Sequence, residues 1–132
     1  MLTRDVTGAG VNEQPVARIE RRGAATVVHL AGELDLYNAP DVRAALLEAA
    51  AEEPERLVVD LAEVVFVDST VLGVLIEART KLPNRRSFLL AAAGREAQRA
   101  LRISGLERHL SVHETVDAAL AAPLEEPPPT AA

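Results

Sequence analysis

Residues 57–75 read Leu57-Val58-Val59-Asp60-Leu61-Ala62-Glu63-Val64-Val65-Phe66-Val67-Asp68-Ser69-Thr70-Val71-Leu72-Gly73-Val74-Leu75, and this stretch decides the fold class. Leu57 to Leu61 is an almost continuous apolar run, interrupted only by Asp60. A strand covered on both faces has this composition, whereas a strand with one wet face alternates. Val64 to Val67 carries the apolar character on to Asp68. From Ser69 the apolar spacing turns helical, and Pro83-Asn84 ends the helical segment. A buried strand running straight into a helix is the first half of a parallel crossover.

Asp68, Ser69 and Thr70 lie on the boundary, and each is a good N-cap residue. One side-chain acceptor is enough to cap a helix, so the boundary is over-supplied. The helix is also apolar nearly all round its first two turns, at Val71, Leu72, Val74, Leu75 and Ile76. A surface helix needs one apolar stripe only. The surplus is expected either to be buried on both sides or to face a partner. Gly73 in a helix interior costs about 1 kcal/mol relative to Ala, and a close backbone approach is one reason to keep it.

Working upstream, Asn38 is positioned to cap a helix from Ala39, with Pro40 tolerated in its first turn and Asp41 at the favourable end of its dipole. Val42, Leu46, Ala49 and Ala50 give that helix its apolar stripe, and Pro54 stops it. Before it, Ala25 to Ala31 is rich in β-branched residues and reads as a strand. Gly32-Glu33-Leu34-Asp35 breaks the strand pattern. Val16 to Glu20 is a short first strand, joined to the second through a turn at Gly23. Downstream, Phe88 to Ala92 reads as another buried strand. Gly94 then precedes a helix running to about Ser104, with Ala97, Ala100 and Leu101 inward. Gly105 fits the left-handed position after a helix end, which places Leu106 against Leu101. His109 to His113 is a weaker strand, and Thr115 can cap a short last helix, Val116 to Ala121. The order ββαβαβαβα predicts an α/β domain with a mixed, mostly parallel sheet and helices packed against it.

The chain has 132 residues, the length of one domain. Residues 15–122 are expected to form it. Residues 1–14 are polar with no apolar period, and residues 123–132 hold Pro127-Pro128-Pro129 beside Glu125 and Glu126. Such segments bury too little apolar surface to offset their ordering entropy, so both are expected to be flexible. Aromatic content is only 2%, so the core must be aliphatic. The formal net charge is −6, with basic residues interleaved among acidic ones along the sequence. That pattern argues against nucleic acid or an anionic membrane surface as the main partner. There is no cysteine, which excludes a disulfide framework and a thiol nucleophile. The N-terminus lacks an apolar leader segment and no apolar run reaches membrane-spanning length, so a cytoplasmic protein is expected.

Catalytic chemistry finds little support. The histidines are His29, His109 and His113. His109 and His113 have the i, i+4 spacing of metal ligands, but they fall in a strand-like stretch without an H-E-x-x-H pattern. All three read as solvent-facing or structural. No nucleophile elbow surrounds a serine, and no phosphate-binding glycine loop is present. Glu33 and Asp35 could serve as an acid–base pair, although two carboxylates in one loop are more often solvated turn residues.

Four blocks in order, Gly32-Glu33-Leu34-Asp35, Asp68-Ser69-Thr70, Leu72-Gly73-Val74 and Ile103-Ser104-Gly105-Leu106, resemble the signature blocks of STAS-domain anti-sigma factor antagonists. The resemblance covers Val16 to Ala121 and implies a small α/β domain of the order read above. It implies that the unphosphorylated chain binds an anti-sigma factor, which is also an ATP-dependent serine kinase, and so frees a sigma factor for transcription. It implies phosphorylation at Ser69, reversed by a serine phosphatase. Glu33, Asp35, Asp68, Thr70, Val71, Leu72 and Gly73 then belong to the partner-binding face. ATP would belong to the partner, and no cofactor, metal or catalytic residue is implied for this chain. Where the family usually carries Gly after the Ser-Thr pair, this chain has Val71, expected to add bulk beside Ser69. Two other readings remain open: a STAS scaffold of a stress-sensing or transporter complex without phosphate turnover, and a small hydrolase using Ser69.

Overall fold

The computed structural model describes residues 14–124. Strands β1 (Val16–Arg22) and β2 (Ala25–Leu34) form an antiparallel hairpin. Helix α1 (Ala39–Ala51), strand β3 (Arg56–Val67), helix α2 (Ser69–Thr80), strand β4 (Phe88–Ala91), helix α3 (Arg95–Ser104), strand β5 (Ser111–His113) and helix α4 (Val116–Ala121) follow. Single 3-10 turns at Arg85–Ser87 and Leu106–Arg108 precede β4 and β5. The five strands lie in sequence order, and every pair after the hairpin is parallel. The expected α/β architecture and element order are both present. Each crossover advances the chain by one strand, so α1, α2 and α3 gather on one face.

Side-chain alternation in the strands builds two unequal layers. Val28, Leu30, Leu57, Val59, Phe88 and Leu90 point to the face covered by α1, α2 and α3. There they meet Val42, Leu46, Val71, Leu75, Ala97 and Leu101. Val27, Val58, Leu89 and Ala91 point the other way and, among the described residues, meet Ala119 of α4, with Val116, Leu120 and Leu124 at the margin. Each fully buried Val, Leu or Phe contributes roughly 1.5–3 kcal/mol, so the three-helix face carries most of the stability. Beyond the reach of α4, the thin face turns polar. His29 bridges two carboxylates there, with Nδ1 at 2.6 Å from Asp60 Oδ2 and Nε2 at 2.8 Å from Glu20 Oε1. The hydrogen bond from His29, with Arg22 and Arg18 nearby, lowers the Glu20 pKa from its ordinary value.

Several elements depart from the sequence reading, each for a local reason. β2 does not end at Ala31; it continues through Gly32 to Leu34. Gly32 takes φ +85°, which its missing Cβ permits, where the register of β2 against β3 slips. β3 is one strand of 12 residues, with a second slip opposite Leu30, where Asp60 Oδ1 accepts the Ala62 N–H at 3.0 Å. β5 begins only at Ser111, because the His109 N–H is held by the Leu106 carbonyl at 2.9 Å in a 3-10 turn. The two histidines therefore do not share an element. Gly105 closes α3 at φ +82°, and Leu106 packs on the core that contains Leu101. The expected flexible segments, 1–14 and 123–132, fall almost wholly outside the described residues. Leu124, placed in the tail by composition, is half-buried against the α4 layer.

Candidate functional site

The start of α2 is held by Asp68 from three directions. Its backbone is extended, and its Oδ1 accepts the Val71 N–H at 3.1 Å, capping the helix. Its Oδ2 accepts the Leu36 N–H at 3.0 Å, and its own N–H donates to the Leu34 carbonyl at 3.1 Å. One carboxylate thus fastens the β2–α1 loop to the first turn of α2. Both oxygens are engaged in this work.

The loop is closed by its own side chains. Asn38 does not cap α1. Its Oδ1 instead accepts the Asp35 N–H, and its Nδ2 donates to the Glu33 carbonyl, both at 2.9 Å. Asp35 Oδ1 accepts the Tyr37 N–H at 3.0 Å and the Asn38 N–H at 3.3 Å. Such local bonds are what short polar side chains offer a turn. They leave Leu36 and Tyr37 at the loop tip, 61% and 89% exposed.

Helix α2 divides sharply. Ser69, Thr70 and Gly73 face solvent, while Val71, Leu72, Val74 and Leu75 are buried. The surplus of apolar residues is therefore buried within the domain, between α1, α3 and the sheet. Nothing lies within 4 Å of where a Gly73 Cβ would stand, so no close approach inside the domain requires this glycine. Further along, Arg43 of α1 grips Glu77 of α2 with two bonds of 2.8 and 2.6 Å, which lowers the Glu77 pKa and raises that of Arg43.

Beside Ser69 runs a shallow groove of about 310 Å³ between the β3–α2 junction and α3. Phe66 and Ile103, 45% and 70% exposed, supply apolar walls. Glu96 and Arg99 supply charge. An exposed hydroxyl at a helix N-terminus thus sits among exposed apolar side chains on two sides. A phosphate attached there would meet the positive end of the helix dipole, Arg99, and the opposing charges of Asp68 and Glu96.

Residues 16–119 match the sequence profile of the STAS domain. The chain belongs to that family. It is 31% identical over 94 residues to the anti-sigma-F factor antagonist RsfB of Mycobacterium tuberculosis, covering 71% of this chain and 77% of that protein. It is 43% identical over 63 residues to the anti-sigma-B factor antagonist of Listeria monocytogenes, covering 48% and 55%. The crystal structure of an anti-sigma factor antagonist from Mycobacterium paratuberculosis superposes with a TM-score of 0.74 at 31% identity, covering 78% and 88% of the two chains.

Within this STAS domain, the residues expected at a binding face play different parts. Glu33, Ser69, Thr70 and Gly73 are exposed and share one end of the domain. Asp35 and Asp68 are half-buried and hold backbone N–H groups. Val71 is fully buried, and Leu72, only 6% exposed, lines the floor of the groove beside Ser69. The bulk expected of Val71 beside Ser69 is directed into the core instead. Arg99 is the residue that sequence reasoning missed. Thirty positions separate it from Ser69, no cation lies nearer in sequence than Arg56 and Arg79, and only the packing of α3 brings it alongside. Among the described residues, no helix is long and apolar enough to cross a membrane.

Proposed function

We propose that this STAS domain is a cytoplasmic anti-sigma factor antagonist, switched by phosphorylation of Ser69, and that it has no catalytic activity of its own. The observation that carries this reading is the exposed Ser69 hydroxyl in the first turn of α2, lining the Phe66–Ile103 groove and following Asp68, which holds the Leu36 N–H of the exposed loop tip. The unphosphorylated face docks on an anti-sigma factor through these apolar side chains and through backbone exposed at Gly73. The same partner, acting as a serine kinase, transfers the γ-phosphoryl group of ATP to Ser69 Oγ. A serine phosphatase returns the chain to its binding form. The added charge is about −1.5 to −2 at neutral pH. Docking would have to desolvate that charge against an apolar interface, and this opposes binding without any refolding. The names of the relatives support an anti-sigma factor as partner.

Incubation with ATP and a cognate anti-sigma kinase, followed by intact-mass spectrometry, tests the reading. One added phosphate is expected on the wild type and none on Ser69→Ala, which should still bind the kinase. Equal phosphorylation of Ser69→Ala would move the acceptor elsewhere. Failure of the unphosphorylated chain to bind any anti-sigma factor would overturn the reading.

A further inference from the structure

β1 stands at one end of the sheet, and among the described residues it pairs on one side only, with β2. The turn fixes where its backbone groups point. Gly23-Ala24 is a two-residue hairpin loop, so Arg22 and Ala25 exchange both of their hydrogen bonds. Counting back in twos, Glu20 bonds Val27 and Arg18 bonds His29. The N–H and C=O of Ile19 and Arg21 therefore point away from β2, to the open edge. Ile19 stands at the middle of this seven-residue strand and is 46% exposed. The strand, Val16-Ala17-Arg18-Ile19-Glu20-Arg21-Arg22, is also its own complement. Laid antiparallel on a second copy about a two-fold axis at Ile19, it sets Arg18 opposite the partner's Glu20, and Glu20 opposite the partner's Arg18. Ile19 then meets its counterpart through an exchanged pair of hydrogen bonds. Arg21 and Arg22 fall opposite Ala17 and Val16, so no like charges stand face to face. Moving the axis by one residue either way would set Arg18 on Arg18 or Glu20 on Glu20, and like charges directly opposed destabilise a strand pair. Charges on an edge strand ordinarily keep other chains off it. Here they are ordered so that the same strand, reversed, neutralises them. β5, at the other end of the sheet, has only three residues and no such order.

We propose that the chain forms a two-fold dimer through β1, which joins the sheets of two copies into one continuous sheet. Such an interface needs a surface complementary to itself, and the reversal of charge about Ile19 supplies it. Glu20 pairs with Val27 and so lies on the face that α4 covers, where four charges alternate in sign around the axis. Arg18 and Glu20 already stand 3.5 Å apart within one chain. Ile19 pairs with Val28 on the three-helix face, where it is buried against its counterpart. The dimer does not rest on the antagonist reading, because it uses none of the residues of the Ser69 face.

Sedimentation equilibrium of the full chain, from micromolar to millimolar concentration, tests the proposal. A reversible monomer–dimer equilibrium is expected. Ile19→Lys sets like charges at the axis and should weaken the dimer about tenfold or more. Arg18→Glu, on an exposed side chain, should do the same, because it opposes an acid to the partner's Glu20. Glu20→Arg should also weaken it, and an equimolar mixture of Arg18→Glu and Glu20→Arg should dimerise again, since each supplies the charge the other lacks. Val112→Lys, on β5, should change nothing. Circular dichroism establishes that each variant is folded. Should Glu20→Arg, which loses the bond to His29, fail to fold, Ile19→Lys and Arg18→Glu still decide the matter. A monomer at every concentration would overturn the proposal. So would a dimer untouched by Ile19→Lys and Arg18→Glu, or one lost in Val112→Lys, which would move the contact to β5. Slow amide exchange at Ile19 in the dilute, monomeric chain would overturn it in favour of the chain's own N-terminal segment as the occupant of the edge.

Discussion

The two sides of helix α2 are built for different purposes from one run of 12 residues. The inner side, Val71, Leu72, Val74, Leu75 and Ala78, is buried in the core shared by α1, α3 and the sheet. The outer side, Ser69, Thr70 and Gly73, is small and exposed and touches little of its own domain. Chemistry on the outer side can therefore change charge without disturbing packing, and changes on the inner side alter packing without altering the exposed surface. A switch that must be thrown repeatedly gains from this separation, because its two states then differ little in fold stability. In the proposed function, affinity for a partner is controlled by local charge on an unchanged scaffold.

The strongest test of the inner side is Val71→Gly. Val71 is fully buried, so the change removes about 1.5–3 kcal/mol of side-chain burial. It also places a glycine in the first turn, at up to about 1 kcal/mol. A loss near 3 kcal/mol in urea unfolding is expected, well above what an exposed position would show. A loss under about 1 kcal/mol would mean that the inner side contributes less packing than its burial implies.

The outer side is tested by charge. Ser69→Glu should weaken binding to an anti-sigma factor at least tenfold, about 1.4 kcal/mol, while circular dichroism and the unfolding midpoint stay close to wild type. Undiminished binding by Ser69→Glu and by phosphorylated protein would sink the switch. A smaller effect separates the two sides further. Arg99→Ala should be neutral in the unphosphorylated chain and cost up to about 1 kcal/mol once Ser69 carries phosphate, the size of an exposed ion pair. An equal cost in both forms would place Arg99 in packing, not in charge compensation.

How much of this was legible follows from which forces are local. The strand–helix alternation was readable because periodicity and capping act over a few residues: Asp68 caps α2 and Thr115 caps α4 as expected. Asn38 looked like the same signal and was not, because its side chain is better satisfied within the loop, by the Asp35 N–H and the Glu33 carbonyl. Val71 was misjudged for a related reason. Sequence shows that it stands two residues after Ser69, and two 100° steps of a helix turn it to the far face. Arg99 beside Ser69 was invisible, since it depends on segments joined only by tertiary packing. The β2 extension was hidden by Gly32, which reads as a stop but sits inside the strand where the register against β3 slips.

Gly73 offers the finest test, because here the two sides predict opposite signs. A methyl group added at this position meets nothing within 4 Å, and the backbone is ordinary helix. Gly73→Ala should therefore stabilise the isolated domain by about 0.5–1 kcal/mol, the entropic cost of glycine in a helix. For a domain of this size that is a rise of a few degrees in Tm. Nothing inside the fold explains why the less stable residue stands one turn from Ser69. A partner whose backbone lies against α2 would explain it, since a Cβ would then occupy the space the partner needs. On this account Gly73→Ala raises Tm and lowers affinity for the anti-sigma factor at the same time. A rise in Tm with unchanged affinity would remove Gly73 from the interface and confine docking to the Leu36–Tyr37 tip and the Phe66–Ile103 groove. A fall in Tm would mean that the outer side is packed more tightly than its exposure indicates, and the division between the two sides of α2 would fail at its centre.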